Sequence, residues 1–321
     1  MRTGKVRADR PNMKVVDSHT AGEPTRVILS GGPDLGPGTV AQKAEVLRND
    51  HAWIYSAVLN EPRGHDAIVG AYLVESEDPS CSAGVIFFNT VGNLGMCGHA
   101  TIGLAVTLAY LGRISPGVHR FETPVGVVAV DLLDDNTVRV TNVPSYRHLK
   151  NVTVAVDGLG QISGDVAWGG NWFFLTSDIE TPLQLSHVND LTVIATRIRD
   201  ALVADNITGQ NGAFIDHIEF SGPALREGSD ARNFVLCPGG AFDRSPCGTG
   251  SSAKLACLAE DGCVAPGDTW VQESIIGSRY RLKFQHAEND RVVPEILGRA
   301  YVTALSELIF SCDDPYMNGI S

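Results

Sequence analysis

Two short segments of this chain resemble each other and lie 150 residues apart. They are Met96-Cys97-Gly98-His99 and Pro246-Cys247-Gly248-Thr249, and each places a cysteine directly before a glycine. An apolar stretch follows each cysteine and predicts a helix of about four turns, for which Gly112 and Gly262 are suitable C-terminal glycines. The chain therefore has to fold so that two matched helices each begin at a cysteine.

Most of the remaining chain consists of short β-branched or apolar runs separated by glycine and proline, which is typical of strands. The composition of residues 39–50 and the apolar spacing of residues 191–204 predict further helices, and residues 300–310 predict a last strand. Many strands with one dominant helix per half predict an α+β fold of two pseudo-symmetric domains, each a curved sheet wrapped around its apolar helix.

We expect the first domain to cover residues 1–150 and to carry Cys97, and the second to cover residues 151–304 and to carry Cys247. The C-terminal tail, from about residue 305 to 321, can return to the first domain. Two facing half-proteins place the active site in the cleft between them, which is a usual position for ligand pockets.

Composition excludes several classes of partner. The formal net charge of −12 argues against a nucleic-acid ligand, and no apolar stretch is long enough to span a membrane. The first residues are polar and basic, lack the apolar segment of a signal peptide, and predict a short disordered lead-in before Met13. Seven cysteines without a Cys-x-x-Cys pair indicate reduced thiols in the cytoplasm rather than a disulfide framework or a standard zinc knuckle.

A thiol at a helix N-terminus lies at the positive end of the helix dipole, which lowers its pKa. Two such thiols, one ionised and one not, suit the inversion of a carbon stereocentre, because one removes a proton and the other delivers one to the opposite face. Such a mechanism requires neither a cofactor nor a metal ion. We therefore predict Cys97 and Cys247 as the catalytic pair.

The surrounding residues suggest how a small amino acid would bind. Backbone N–H groups at Gly98, Gly248 and Thr249 can receive a carboxylate, because glycine lets an anion approach the helix start closely. Asp243 is the natural acceptor for a substrate nitrogen, with neutral His99 as a helper.

Structural interpretations stay open beside these. Either cysteine alone can be a packing residue, His99 can simply bond a backbone carbonyl, and Asp243 can form an Asx turn. The five remaining cysteines are interpreted as packing or surface residues: Cys81, Cys237, Cys257, Cys263 and Cys312.

At these residues the chain resembles the proline racemase family. The similar segments are 17–20, 61–66, 96–99 and 243–250. The resemblance implies a fold of the diaminopimelate-epimerase type and a cofactor-independent two-base racemase or epimerase. It assigns Cys97 and Cys247 as the acid/base cysteines, and the substrate-binding positions it implies are Gly98, His99, Asp243, Gly248 and Thr249.

Within the family, residues 168–174, 216–219 and 233–239 are similar to the branch that epimerises hydroxyproline, where His217 matches a substrate contact. The resemblance thus implies conversion of trans-4-hydroxy-L-proline to cis-4-hydroxy-D-proline, with a homodimer as a possible assembly. The alternatives are proline racemase and, because both cysteines are present, less readily trans-3-hydroxy-L-proline dehydratase. Two different classes also stay open: a cysteine hydrolase and a non-catalytic amino-acid-binding protein.

Overall fold

The structure, a computed structural model, describes residues 10–320. The predicted disordered lead-in falls mainly on residues 1–9, which lie outside the described residues. The strands are β1 (Met13–Thr20), β2 (Glu23–Ser30), β3 (Val69–Val74), β4 (Ala83–Phe88), β5 (Asn93–Leu94), β6 (Gly117–Thr123), β7 (Gly126–Leu132), β8 (Thr137–Thr141), β9 (Tyr146–Val156), β10 (Gly160–Trp168), β11 (Trp172–Thr176), β12 (His217–Gly222), β13 (Ala231–Leu236), β14 (Trp270–Glu273), β15 (Arg279–His286) and β16 (Val292–Leu308). The α-helices are α1 (Val40–Asp50), α2 (Trp53–Leu59), α3 (Gly98–Tyr110), α4 (Val188–Ala204) and α5 (Gly248–Glu260).

The first half of the molecule is a closed barrel around α3. Its strands follow the order β1-β2-β3-β4-β6-β7-β8-β16, and β16 also pairs with β1 to close the ring. All of α3 except its last two residues is buried, because this helix is apolar on every side and fills the barrel interior. Helices α1 and α2 pack outside the sheet, over a second apolar cluster that includes Leu47, Ile54 and Phe88.

The second half repeats this plan around α5. Its strands continue from the same β16 in the order β15-β14-β13-β12-β11-β10-β9. Ser145, directly before β9, exchanges backbone hydrogen bonds of 2.7 and 3.0 Å with Val292 at the start of β16. The far edge of the sheet thereby returns to its beginning, while α4 covers the outside with Leu191, Ala195 and Ile198.

Strand β16 belongs to both halves. Its first part, residues 292–297, pairs with β15, and residues 295–299 pair with β8. The last part, residues 300–308, pairs with β1. The predicted α+β architecture of curved sheets around apolar helices is confirmed. The domain boundaries at residues 150 and 304 stay a prediction. Strand β16 spans the second of these positions and pairs with strands of both halves.

Among residues 10–320, no helix is both long enough and apolar enough to cross a membrane.

Candidate active site

The two predicted helices begin and end where the sequence indicates. Helix α3 starts at Gly98 and α5 at Gly248, each directly after its cysteine. Gly112 (φ +67°) and Gly262 (φ +70°) follow their C-termini in the left-handed conformation that glycine adopts without strain. Both helices are therefore defined by local sequence at both ends.

These helices meet end to end at their N-termini. A Cβ placed on Gly98 would lie 2.7 Å from the Cα of Gly248, and one on Gly248 would lie 2.8 Å from the Cα of Gly98. Any side chain at either position would clash with the backbone at the start of the other helix. The two glycines thus allow both helix starts, with their free N–H groups, to face one space.

That space is a narrow cavity into which all the site residues predicted from the sequence converge. They are Cys97, Gly98, His99, His217, Asp243, Cys247, Gly248 and Thr249. Glu23, Asp66, Ala67, Val69, Asn89, Leu94, Met96, Asn171, Cys237, Pro238 and Ala241 complete the lining. The lining contains three carboxyl side chains and neither lysine nor arginine, so a cationic group on a ligand would be favoured near the carboxylates.

The surroundings of Cys97 include a possible proton acceptor. Its sulfur lies 3.3 Å from Nδ1 of His99. Burial lowers the pKa of His99, while Asp243 and a hydrogen bond to the backbone of Pro24 raise it. The imidazole beside this thiol is therefore favoured in its neutral form. His99 therefore hydrogen-bonds a backbone group, that of Pro24, and also lines the cavity beside Cys97.

The surroundings of Cys247 differ in two respects. The residue that corresponds to His99 is Thr249, whose hydroxyl lies 3.7 Å from the Cys247 sulfur and is not a base at neutral pH. Cys247 itself has φ +58°, an uncommon conformation for a residue with a side chain, whereas Cys97 is extended at φ −141°. The two halves are thus alike in plan and unlike in the immediate environment of the sulfur.

Both thiols have a raised pKa, which corrects the prediction from the helix dipole. Burial is the largest cause for each, and the charge of Asp243 raises both further. Backbone N–H groups do act in the predicted direction, from Ala100 and His99 on Cys97 and from Gly250 on Cys247. In this closed cavity, removal from water outweighs them, so both cysteines are held as thiols.

Asp243 combines both roles that the sequence suggested. Its Oδ1 accepts a hydrogen bond of 2.7 Å from the Ser245 N–H, which is an Asx turn, and its side chain is also part of the cavity wall. Glu23 lies close by and accepts a 2.6 Å hydrogen bond from the Arg244 N–H. Burial, and next Asp243, raise the pKa of Glu23 well above its ordinary value. Glu23, the first residue of β2, was not predicted as a site residue from the sequence.

His217 lies on β12 with its ring stacked on Phe173 at 4.6 Å between centroids. Its Nδ1 is 2.7 Å from Oδ1 of Asp216. Because a carboxylate only accepts, Nδ1–H donates to Asp216, and when the ring carries no second proton its Nε2 has an acceptor lone pair.

Three further residues near the site were not expected from the sequence. Asn171 links the two halves, because its amide donates to the Met96 carbonyl at 2.7 Å and to the Thr249 hydroxyl at 3.2 Å. Cys237, interpreted as a packing or surface residue, forms part of the cavity wall. Glu219 is fully buried beside the start of α5. Over residues 10–320, no group of three His, Cys, Asp or Glu side chains is arranged to hold a metal ion.

Comparison with known proteins identifies close relatives. A 4-hydroxyproline 2-epimerase from Roseibium aggregatum is 59% identical over 308 residues, which cover 96% of this chain and 99% of the relative. A 4-hydroxyproline 2-epimerase from Xanthomonas campestris pv. campestris is 56% identical over 306 residues, covering 95% of this chain and 98% of the relative.

Solved structures show the same architecture. A hydroxyproline epimerase from Agrobacterium vitis, with bound trans-4-hydroxy-L-proline, superposes with a TM-score of 0.90 at 25% identity, covering 98% of this chain and 95% of that chain. A PhzF-family phenazine biosynthesis protein from Bacillus anthracis, at 13% identity and a TM-score of 0.62, covering 93% of this chain and 99% of that chain, shares the fold. The sequence model of the proline racemase family matches residues 15–321. The chain belongs to the proline racemase family.

Proposed function

We propose that this protein is a 4-hydroxyproline 2-epimerase that interconverts trans-4-hydroxy-L-proline and cis-4-hydroxy-D-proline by a two-base mechanism without a cofactor. The observation that carries the proposal is the contact between Gly98 and Gly248, which brings two helix-start cysteines to one cavity. The similarity to relatives named for this activity, at 59% and 56% identity, supports the same reaction.

The electrostatics of the cavity favour a zwitterionic imino acid. The free N–H groups at the starts of α3 and α5 are suited to the substrate carboxylate. Asp243, with Glu23 beside it, is suited to the cationic ring nitrogen, because the cavity lining contains three carboxyl groups and neither lysine nor arginine. The Arg244 guanidinium, outside the lining, lies 3.9 Å from Glu23, so Asp243 is the preferred partner of that nitrogen. A molecule bound this way holds its α-carbon between the two sulfurs.

The reaction then consists of two proton transfers. One cysteine, as thiolate, forms an S–H bond as the Cα–H bond breaks, and the electron pair passes into the carboxylate, where the helix N–H groups stabilise it. The other cysteine, as thiol, loses its proton to the opposite face of the same carbon. The pair ends with the same number of protons and with exchanged roles, so the reverse reaction follows the same path.

Substrate binding would also supply the ionised thiol. A cationic nitrogen brought into a buried site favours the thiolate, in opposition to the burial that raises both pKa values. His99, neutral and 3.3 Å from Cys97, is placed to accept the proton that Cys97 gives up. Asp243, whose charge raises the pKa of His99, would stabilise the resulting imidazolium.

The test is turnover followed by polarimetry and chiral chromatography, with trans-4-hydroxy-L-proline, L-proline and trans-3-hydroxy-L-proline offered separately. We expect the 4-hydroxy substrate to be converted fastest, and in D₂O its product should carry deuterium at Cα. Cys97→Ala and Cys247→Ala should each reduce turnover by at least about 100-fold, the range of general acid–base catalysis.

Other results would identify the alternatives. Faster conversion of L-proline would indicate a proline racemase, and loss of water from the 3-hydroxy substrate a dehydratase. An acyl-enzyme burst that needs only one of the two thiols would indicate a cysteine hydrolase. Saturable binding with no change in optical rotation would indicate a binding protein.

A reducing compartment suits this mechanism, because two unpaired thiols must persist in one site, and we accordingly propose a cytoplasmic location. The homodimer stays a prediction, which light scattering coupled to size-exclusion chromatography tests.

A further inference from the structure

Glu219 is a buried residue whose carboxyl group has no role in the proposed mechanism. Its residue exposure is 0%, and over residues 10–320 neither carboxyl oxygen accepts a hydrogen bond of normal geometry, although the Asn233 amide lies close enough to stabilise the charged form. Buried carboxylates are normally paired or hydrogen-bonded, because the loss of hydration is costly. Burial disfavours the charged form of such a group, so its protonation state depends on its immediate neighbours.

The neighbour of Glu219 is the start of helix α5. A Cβ placed on Gly250 would lie 2.4 Å from Oε2 of Glu219 and 3.3 Å from the sulfur of Cys247. The carboxyl group and the thiol thus flank the same point, separated by a glycine whose lack of a side chain lets both approach. The Gly250 N–H is also the backbone group that lowers the pKa of Cys247.

The alternation of β12 explains why the carboxyl group lies there. His217, Glu219 and Ser221 fall on one face of the strand, while Ile218 and Phe220 lie in the apolar core behind it. The Ser221 hydroxyl accepts a 2.9 Å hydrogen bond from Lys254 of α5, so this face is directed toward that helix.

We propose that Glu219 is a positioning residue whose negative charge, together with that of Asp243, favours the protonated form of Cys247. The inference rests on the proposed function, in which Cys247 matters as a proton carrier. When Glu219 is ionised, its negative charge opposes a thiolate at Cys247, which then serves as the acid while Cys97, beside the His99 base, loses its proton more readily. When Glu219 is neutral, this bias disappears.

The charged and titratable groups around Glu219 set the pH at which the change occurs. The pKa of Glu219 is raised to about 7, and burial is the largest cause. Lys254 on α5 and His217 on the same strand act to lower it, and Asp243 in the preceding loop acts to raise it. The Asn233 amide on β13 also lowers this pKa by hydrogen bonding to the carboxyl group, and it is held in place by donating to the Pro246 carbonyl at 2.8 Å. The charge on Glu219 therefore changes within the range in which an enzyme works.

The test measures the reactivity of each thiol without any turnover. Wild-type protein and Glu219→Gln are treated with iodoacetamide between about pH 5 and pH 9, and peptide mass spectrometry gives separate alkylation rates for Cys97 and Cys247. We expect Cys247 to react about tenfold faster or more in E219Q above neutral pH, a tenfold change being one pKa unit, and equally fast at low pH, where wild-type Glu219 is protonated.

Two further variants separate charge from structure. Ser221→Ala alters the same strand face but keeps the carboxyl group, and Lys254 keeps its second acceptor, Oε1 of Gln272 at 3.1 Å. The Cys247 profile of this variant should therefore match wild type. Lys254→Met removes the nearby cation and should move the pH at which Glu219 slows Cys247 upward. That arm decides the matter by itself if E219Q does not fold.

An unchanged pH profile in E219Q, or the same change in S221A, would overturn the proposal, as would no movement in K254M. Because alkylation needs no substrate, loss of the proposed epimerase activity and loss of this coupling are distinguishable results.

Discussion

Gly98 and Gly248 are in direct backbone contact, each within 2.8 Å of the position where the other would carry a Cβ. This contact joins the two halves of the molecule at the point where both helices present their N–H groups and their cysteines. The geometry of the site therefore depends on the absence of two side chains as much as on the presence of two sulfurs.

The first prediction follows from that contact. Gly98→Ala or Gly248→Ala forces the helix starts apart, since neither neighbour is the mobile end of a side chain. We expect kcat/KM to fall by about 100-fold, because a displacement of about 1 Å is enough to misalign reacting atoms. Gly92→Ala is the matched control, because a Cβ there meets nothing within 4 Å, and it should retain activity. Steady-state kinetics with circular dichroism as a fold check decide the matter; a fully active Gly98→Ala would contradict it.

The second prediction concerns the selection of the 4-hydroxyl group. If Nε2 of His217 accepts a hydrogen bond from that hydroxyl, His217→Leu should reduce kcat/KM for trans-4-hydroxy-L-proline by about 10- to 100-fold, the cost of one lost hydrogen bond in a buried site. Turnover of L-proline should change much less. The ratio of the two kcat/KM values is the measurement.

Asp216→Asn is the companion variant, since it keeps the imidazole but replaces the carboxylate that holds Nδ1–H at 2.7 Å. We expect a smaller loss in the same direction. Equal losses for both substrates in His217→Leu would mean that this ring only fills space.

The sequence predicted the elements that are determined locally. Helices α3 and α5 have their start, their apolar content and their terminal glycines within one segment each, so their bounds could be read directly. Strand β16 could not be read in this way. Its 17 residues form one strand because they pair successively with β15, β8 and β1, and the first of these residues, with Pro294 among them, show no strand pattern of their own.

The same distinction holds for the candidate site: residues within a short motif were predicted, and residues brought in by the tertiary structure were not. The cysteines, glycines and Asp243 lie in two short motifs, which made them visible. Glu23 and Glu219 were not predicted as site residues, although Glu219 lies in the similar segment 216–219, because a glutamate in a sequence is typical of the surface. Only the tertiary structure shows that both are buried beside the motif residues.

The third prediction concerns pH. Burial raises the pKa of both thiols, and the proposed mechanism requires one of them to be ionised, so kcat/KM should increase as the pH rises through and above neutrality. The bound substrate brings a cation that favours the thiolate, so the corresponding limb of kcat should lie at lower pH. Initial rates across the pH range, in both reaction directions, give the two profiles. A limb at the same pH in kcat and kcat/KM would show that the substrate does not assist ionisation.

The fourth prediction concerns the stability of the second half of the molecule, around α5. Arg147 on β9 has a side-chain exposure of 1% and binds the C-terminal end of α5, through the Cys257 carbonyl at 2.7 Å and Asp261 at 2.6 Å. Arg147→Gln should lower the free energy of unfolding by about 2 to 4 kcal/mol, since it removes charge-assisted hydrogen bonds from a buried position. Arg48→Gln is the control: it removes an ion pair whose two side chains are exposed and should change stability by less than about 0.5 kcal/mol.

The pH dependence of unfolding tests the same cluster. Hydrogen bonds from Arg147 and Lys150 lower the pKa of Asp261 to about 2. A carboxyl group with a lowered pKa in the folded state stabilises the fold above its unfolded pKa, which is about 4, and this contribution is lost as the pH falls toward 2. Urea unfolding at neutral pH and at about pH 3 should therefore show a steeper loss in wild type than in Arg147→Gln. An equal loss of unfolding free energy in wild type and Arg147→Gln would show that the charge of Asp261 does not depend on Arg147. The end of α5 would then be held by the contact with the Cys257 carbonyl alone.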